Sequence, residues 1–166
     1  WIMQYNFEWD PDKAQANRRK HGVSFEEAAT IFRDPRMLSL YDDEHSKIED
    51  RWITMGISAN GRLLVVCHTF KEDTDHSATI RLISSRKTTR SETKAYGDWT
   101  MKKEYDFTNA EKGKFYRGAA KLNLPVYLDE EVLSFVQGIA DKHKTDTSSV
   151  VNQLIRSDMQ LAEVMK

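Results

Sequence analysis

Histidine and arginine are the residues of this chain best suited to chemistry. Imidazole titrates near neutrality and can move protons, while guanidinium stays charged and presents planar donors to two oxygens of a phosphate. His21, His45 and His68 occur with Arg51, Arg81 and Arg86 in the first ninety residues, a set that suits proton transfer around a phosphate group.

Each also has a purely structural explanation. His21 ends the run Arg18-Arg19-Lys20-His21, where cations complement a helix C-terminus, and Lys20 faces substrate only if His21 does. His45 begins His45-Ser46-Lys47-Ile48-Glu49; Glu49 can set its tautomer, or the segment is a solvated loop. His68 alternates with Leu64 and Val66, so it reads as a satisfied, partly buried histidine outside the catalytic set. Arg81 shares a strand face with Ile83 opposite Ile80 and Leu82, and Arg86, Lys87 and Arg90 extend the positive run. These are either a phosphate patch or ion pairs with neighbours such as Glu49 and Glu92.

Other chemistries are disfavoured. The single cysteine, Cys67, lies in the apolar run Leu63-Leu64-Val65-Val66-Cys67, which leaves no disulfide framework or cysteine zinc site. Asp73, Asp75 and His76 are too close together to close a metal cage and read as a solvated loop; no metal and no cofactor are expected. The 166 residues carry 25 Lys plus Arg against 26 Asp plus Glu, and 39% are hydrophobic. One domain or two small ones can fold from that, and a surface for nucleic acid must be a local patch. No secretory signal or membrane span is evident, so the expected location is cytoplasmic; Trp1 and Ile2 read as an added remnant or as part of a processed start, with Met3 as the expected initiator.

The elements follow from local signals. Asp10-Pro11-Asp12 starts a helix closed by Gly22, and Ser24-x-x-Glu27 is a capping box for a second, stopped by Pro35. Strands are expected at 37–41, 51–58, 62–70 and 79–85, with Asn60-Gly61 as a hairpin turn and 71–77 as a polar loop. Thr89-x-x-Glu92 caps a helix to about Tyr96. Residues 97 to 118 lose regular spacing and read as an arm that folds only on a partner. Leu122, Leu124, Val126 and Leu128 then alternate as a strand confined by Pro125 to an edge or a two-stranded ribbon. Asp129, and Asp146 or Thr147, cap two amphipathic helices whose stripes one strand cannot cover, so this half should dimerise.

Phe7-Glu8-Trp9-Asp10-Pro11-Asp12-Lys13-Ala14, Asn17 and Lys20-His21-Gly22-Val23-Ser24-Phe25-Glu26-Glu27-Ala28 resemble the opening of the BrnT family of bacterial toxins. The likeness runs through His45-Ser46, Glu49, Arg51, Gly61-Arg62-Leu63-Leu64-Val65-Val66 and Ile83-Ser84-Ser85-Arg86, and covers residues 5 to 96. The second half resembles the partner antitoxin family, BrnA, at Met101-Lys102-Lys103-Glu104-Tyr105-Asp106-Phe107, Gly113-Lys114-Phe115-Tyr116 and Leu122 to Asp129. The resemblance implies an α+β fold: a RelE-like antiparallel sheet with helices in residues 1–98, a linker and toxin-masking arm in 99–120, and a ribbon-helix-helix module (β-α-α) in 121–166. Such partners are usually separate chains, so a fusion departs from the pattern.

The implied function is that of a type II toxin–antitoxin fusion: a metal-independent endoribonuclease, neutralised by an antitoxin that dimerises, binds operator DNA and represses transcription. Catalysis would fall to His21, His45, Arg51, Arg81 and Arg86, with Lys20, Lys87 and Arg90 on RNA. Tyr105, Phe107, Phe115 and Tyr116 would mask the toxin, in cis or in trans. Lys121, Asn123 and Tyr127 would enter a DNA groove, with Thr147 and Ser148 at a phosphate. The partners are thus RNA, operator DNA and a second copy, with no membrane. The alternative is a DNA-binding autorepressor whose toxin-like half is inert and structural.

Overall fold

The structure, a computed structural model, describes residues 1–97 and 106–165, which divide into two units, Trp1–Pro125 and Val126–Lys166. The first unit begins with β1 (Gln4–Glu8), which turns Tyr5 and Phe7 inward. The order expected from sequence lacks this strand, because five residues carry too few alternations to stand out beside the helix start at Asp10. Helix α1 (Pro11–His21) is capped by the Asp10 carboxylate and ends at Gly22, whose φ of 66° is left-handed, a conformation that favours glycine. Helix α2 (Phe25–Ala29) starts at Ser24, whose Oγ accepts from the Glu27 amide at 3.1 Å. Only half of the expected box forms, since the Glu27 carboxylate pairs with Arg62 and accepts from Ser58 Oγ instead. That ties the helix to the hairpin.

Strands β2 (Leu38–Tyr41), β3 (Arg51–Ile57) and β4 (Leu63–Thr69) form an antiparallel meander. Gly61, at φ 76°, makes the expected turn between the last two. The polar segment expected as a loop is instead β5 (Lys71–Thr74), paired with the start of the long β6 (Ser77–Lys87); its side chains are all exposed, so it had no alternation to read. β6 pairs antiparallel with β4 and parallel with β1. Helix α3 (Arg90–Gly97) follows, with the full Thr89/Glu92 capping box in place.

Of the segment read as an arm, the described residues 106–118 lie on this sheet. After a 3-10 turn at Phe107–Asn109, β7 (Glu111–Lys112) pairs with β2 and β8 (Lys121–Asn123) runs parallel to β1. The strand order is β7-β2-β3-β4-β6-β1-β8, with β5 beside β6. The arm therefore supplies one outer strand, β7, and the first residues of the expected ribbon supply the other, β8, pairing edges that otherwise carry bare N–H and C=O groups.

The sheet has two apolar faces. Tyr5, Phe7, Leu64, Val66, Ala78, Ile80 and Leu82 lie in one core with Phe25, Ala28, Ile31 and Phe32 of the helical side, and Phe115 of the arm belongs to it. Leu38, Ile53, Met55 and Val65 pack on the other face with Phe107, Ala95 and Tyr96.

The second unit holds α4 (Glu130–His143), capped by Asp129 as expected, and α5 (Thr147–Val164), capped by Asp146, one of the two expected candidates. Val136, Ala140 and Val150 are buried between them. The strand expected over 121–128 is shorter and differently paired: Lys121–Asn123 extends the first unit's sheet, and Leu122 packs on its core. Pro125, lacking an N–H, cannot continue such a ladder.

Candidate active site

Two arginines and one carboxylate meet on the second face of the sheet. Arg51 opens β3, and its Nε and Nη2 donate to Glu49 Oε1 at 3.3 and 3.1 Å. Arg81, on β6, donates to the other oxygen, Oε2. Burial pushes the Glu49 pKa up, but hydrogen bonds and charge from Arg51 and Arg81 outweigh it and leave the carboxyl below its ordinary value. Glu49 is thus ionised at neutral pH, and the trio keeps one net positive charge at a partly open position. A phosphate competing for two guanidiniums meets the donor geometry it prefers.

His45 stands on the same loop, 42–50. Its Nδ1 lies 3.0 and 2.9 Å from the two oxygens of Asp42, not against Glu49 as expected. Asp42 is three residues away and reaches the ring directly, while Glu49 is held by the arginines. Ser46 ties the loop to the start of β3, accepting from the Arg51 amide at 3.0 Å and donating to Asp42 O at 2.5 Å. With Nδ1 on the carboxylate and the side chain 59% exposed, Nε2 is the ring atom placed to exchange protons.

Arg86 shares the face with Arg81 despite a five-residue spacing that strict alternation would split between faces. The pairings Cys67↔Ser84 and His68↔Leu82 leave Ile83 as an extra residue on β6, and such a bulge shifts the side-chain phase. No residue type in Arg81-Leu82-Ile83-Ser84-Ser85-Arg86 announces it. Arg86 is taken up by Glu92, each nitrogen–oxygen pair at 2.8 Å, and Glu92 is 1% exposed. Burial raises the Glu92 pKa, but the Arg86 hydrogen bond and those of Thr89 win and lower it overall. The ion-pair alternative thus describes both Arg81 and Arg86, and Arg86 is further committed to holding α3. Lys87 and Arg90 are exposed at the end of β6 and the start of α3.

His21 and Lys20 lie elsewhere. The carbonyl of the next residue, Gly22, accepts from Arg62 at 3.2 to 3.3 Å, beside the β3–β4 hairpin. Arg51 is at the opposite end of β3, roughly 20 Å away at about 3.3 Å per residue. The structure does not bring His21 to the arginine pair.

His68 is fully buried, and burial lowers its pKa to about 4 despite a raising hydrogen bond from the Thr69 carbonyl. Nδ1 donates to that carbonyl at 3.0 Å, so Nε2 accepts from Thr54 Oγ1 at 2.7 Å and Thr54 in turn from Ser39 at 2.8 Å. This neutral ring is the satisfied histidine expected from sequence.

Two buried clamps went unread because their partners are far apart in the chain. Asn17 donates to Val23 O, Ser85 O and Ser85 Oγ and accepts from the Ser85 amide, all within 2.9 to 3.1 Å. Asp34 accepts from the Arg36 and Ile57 amides and from Tyr96 OH at 2.6 Å. Burial, then the Asp34 hydrogen bond, push Tyr96 up to about 12.

The family model described as "Ribonuclease toxin, BrnT, of type II toxin-antitoxin system" matches residues 9–92. The chain belongs to the BrnT ribonuclease toxin family. His45, Glu49, Arg51, Arg81 and Arg86 all lie in the matched span, whereas the arm and the second unit lie beyond it. Among solved structures the chain is similar to the Brucella abortus ribonuclease toxin BrnT, at 17% identity and a TM-score of 0.36, over 52% of this chain and 99% of that one. No curated protein sequence gives a significant match.

Of the arm residues, Phe107 and Phe115 are buried and Tyr116 is half-buried; Tyr105 lies outside the described residues. Lys121 is exposed on β8, Asn123 donates to Asn6 Oδ1 at 2.8 Å, and Tyr127 is exposed. At the start of α5, Asp146 accepts from the Ser149 amide and hydroxyl at 2.9 and 2.7 Å. A carboxylate there opposes a phosphate near Thr147 and Ser148.

Proposed function

We propose that residues 1–97 are a metal-independent endoribonuclease centred on Arg51, Arg81, Glu49 and His45, and that the rest of the chain restrains it. The carrying observation is the meeting of Arg51 and Arg81 on one carboxylate beside the His45 loop, within a BrnT-family span. In this reading the RNA phosphate displaces Glu49 from the arginines, which neutralise charge on the phosphorane. The freed Glu49 takes the proton of the 2'-OH as its oxygen attacks the adjacent phosphorus. His45, oriented by Asp42, gives a proton to the departing 5'-oxygen. Arg86 supports this site through α3, and His21 has no part in it.

Residues 99–166 act as a BrnA-like antitoxin joined to its toxin. The arm binds the toxin sheet, and the helices of the second unit dimerise as part of a ribbon-helix-helix module on operator DNA. Support comes from their unburied apolar side chains, among them Phe135, Ile155 and Leu161. A DNA-reading ribbon requires Lys121–Asn123 to leave β1 and residues 121–128 to pair with the same segment of a second copy.

Expression in growing bacteria tests the toxin reading. Residues 1–97 should arrest growth, the full chain should not, and Arg51→Ala or Arg81→Ala in the short form should restore it. Arrest that survives both substitutions would remove the arginine pair from the mechanism.

A further inference from the structure

Phe115 enters a socket made almost wholly of rings. Its centroid is 4.5 Å from that of Phe70 at an interplanar angle of 33°, and 5.3 Å from both Trp52 and His68, which meet it edge to face. Phe32 closes the socket at 6.3 Å, and Tyr5 OH donates to the Phe115 carbonyl at 2.7 Å. Lys114, beside it, covers the Trp52 ring at 4.5 Å. The side chain that fills this space comes from the arm, not from the family-matched span. The rings that line it, Phe32, Trp52, His68 and Phe70, all lie within that span, and the Tyr5 hydroxyl stands at the Phe115 backbone.

The socket lies at the same strand ends as the proposed site, on the other face of the sheet. Trp52 follows Arg51, and Phe70 follows Thr69, the cross-strand partner of Arg51. Neighbours along a strand point to opposite faces, so rings and arginines occupy the two sides of the same strand ends. Aromatic slots beside cations hold unpaired bases because every base offers a π-face, whatever its sequence.

Resting on the ribonuclease reading, we propose that the Phe115 socket is the seat for one unpaired base of the RNA substrate, and that the arm restrains the toxin in part by filling it with a phenyl ring. The arm would then compete with RNA directly.

A 2'-O-methyl RNA hexamer, which lacks the attacking hydroxyl, and a set of hexamers each carrying one abasic position serve as probes of the full chain. Phe115→Ala should bind the intact hexamer about tenfold or more tighter than wild type, with NMR shifts at the His68 and Trp52 rings, and one abasic position should erase the gain. Equal binding by both chains, no binding by either, or a gain that survives every abasic replacement overturns the proposal. Should Phe115→Ala fail to fold, the wild-type chain decides. Saturating hexamer should speed hydrogen exchange at the amides of Gly113, Tyr116 and Lys121, which are bonded to Met37, Gly113 and Met3 carbonyls; unchanged protection in the bound state contradicts it. Cleavage of unmodified RNA, followed separately, tests the ribonuclease reading. Cleavage without base-dependent binding keeps the enzyme and removes the seat, and base-dependent binding without cleavage does the reverse.

Discussion

Unit 1, Trp1–Pro125, and unit 2, Val126–Lys166, close their apolar surfaces to different degrees. In the first, two cores cover both faces of a sheet, and Tyr5, Phe25, Ile31, Phe32 and Ile80 are fully buried. In the second, three of the described residues are buried, while Phe135 is 63% exposed and Leu154, Ile155, Met159 and Leu161 are also open. Two helices have too little surface to enclose such stripes. The first unit closes its cores once the arm is counted in it, whereas the second leaves apolar stripes open, which in the proposed function a second copy covers.

Truncating the arm's main anchor breaks this comparison most strongly. Phe115→Ala should cost the first unit about 3–4 kcal/mol, read as a lower urea midpoint. A loss under about 1 kcal/mol would mean that the ring is peripheral to that core. Acid gives the next largest effect. Unfolded His68 takes up a proton below about pH 6.5, whereas the buried ring does so only near pH 4. Protons then favour the unfolded chain, and stability should fall by about 2–3 kcal/mol between pH 6.5 and 4.5. Urea titrations at several pH values should show this slope, and His68→Gln should flatten it. Glu92, whose pKa is lowered, loses its contribution only at still lower pH, as it protonates.

The second unit answers to a different readout. Phe135→Lys should abolish concentration-dependent self-association in sedimentation while leaving the first unit's melting unchanged; an unaltered assembly would place the dimer contact elsewhere. The smallest effect on stability is expected at the site. Glu49→Gln breaks partly exposed ion pairs and should shift stability by less than about 1 kcal/mol, yet lower cleavage far more. A large stability loss would make Glu49 structural.

Legibility in the sequence followed the range of each signal. Caps at Asp10, Ser24, Thr89, Asp129 and Asp146 lie within four residues of what they bond, and all were readable. The burial of His68 followed from simple alternation with Leu64 and Val66. The bulge at Ile83 was invisible, so the shared face of Arg81 and Arg86 was too. The clamp between Asn17 and Ser85 joins residues 68 apart, and no local pattern reports it. The sequence offers Glu49 as a partner for His45, and only the folded loop shows that both arginines claim Glu49 and leave His45 to Asp42. The strand at Lys121–Asn123 was foreseen as β structure; its partner β1 was not, since β1 itself went unread.

The proposed enzyme is an endoribonuclease site at Arg51 and Arg81, restrained by residues that follow it in the same chain. Its most direct test is cleavage of labelled RNA in EDTA by residues 1–97, shown to be folded by circular dichroism, beside the full chain and with a peptide of residues 106–125 added back. Cleavage by the short form, suppressed by the peptide and lowered about a hundredfold or more by Arg81→Ala, is the predicted result. Intact RNA in the presence of the folded short form, or equal cleavage by the full chain, would contradict it.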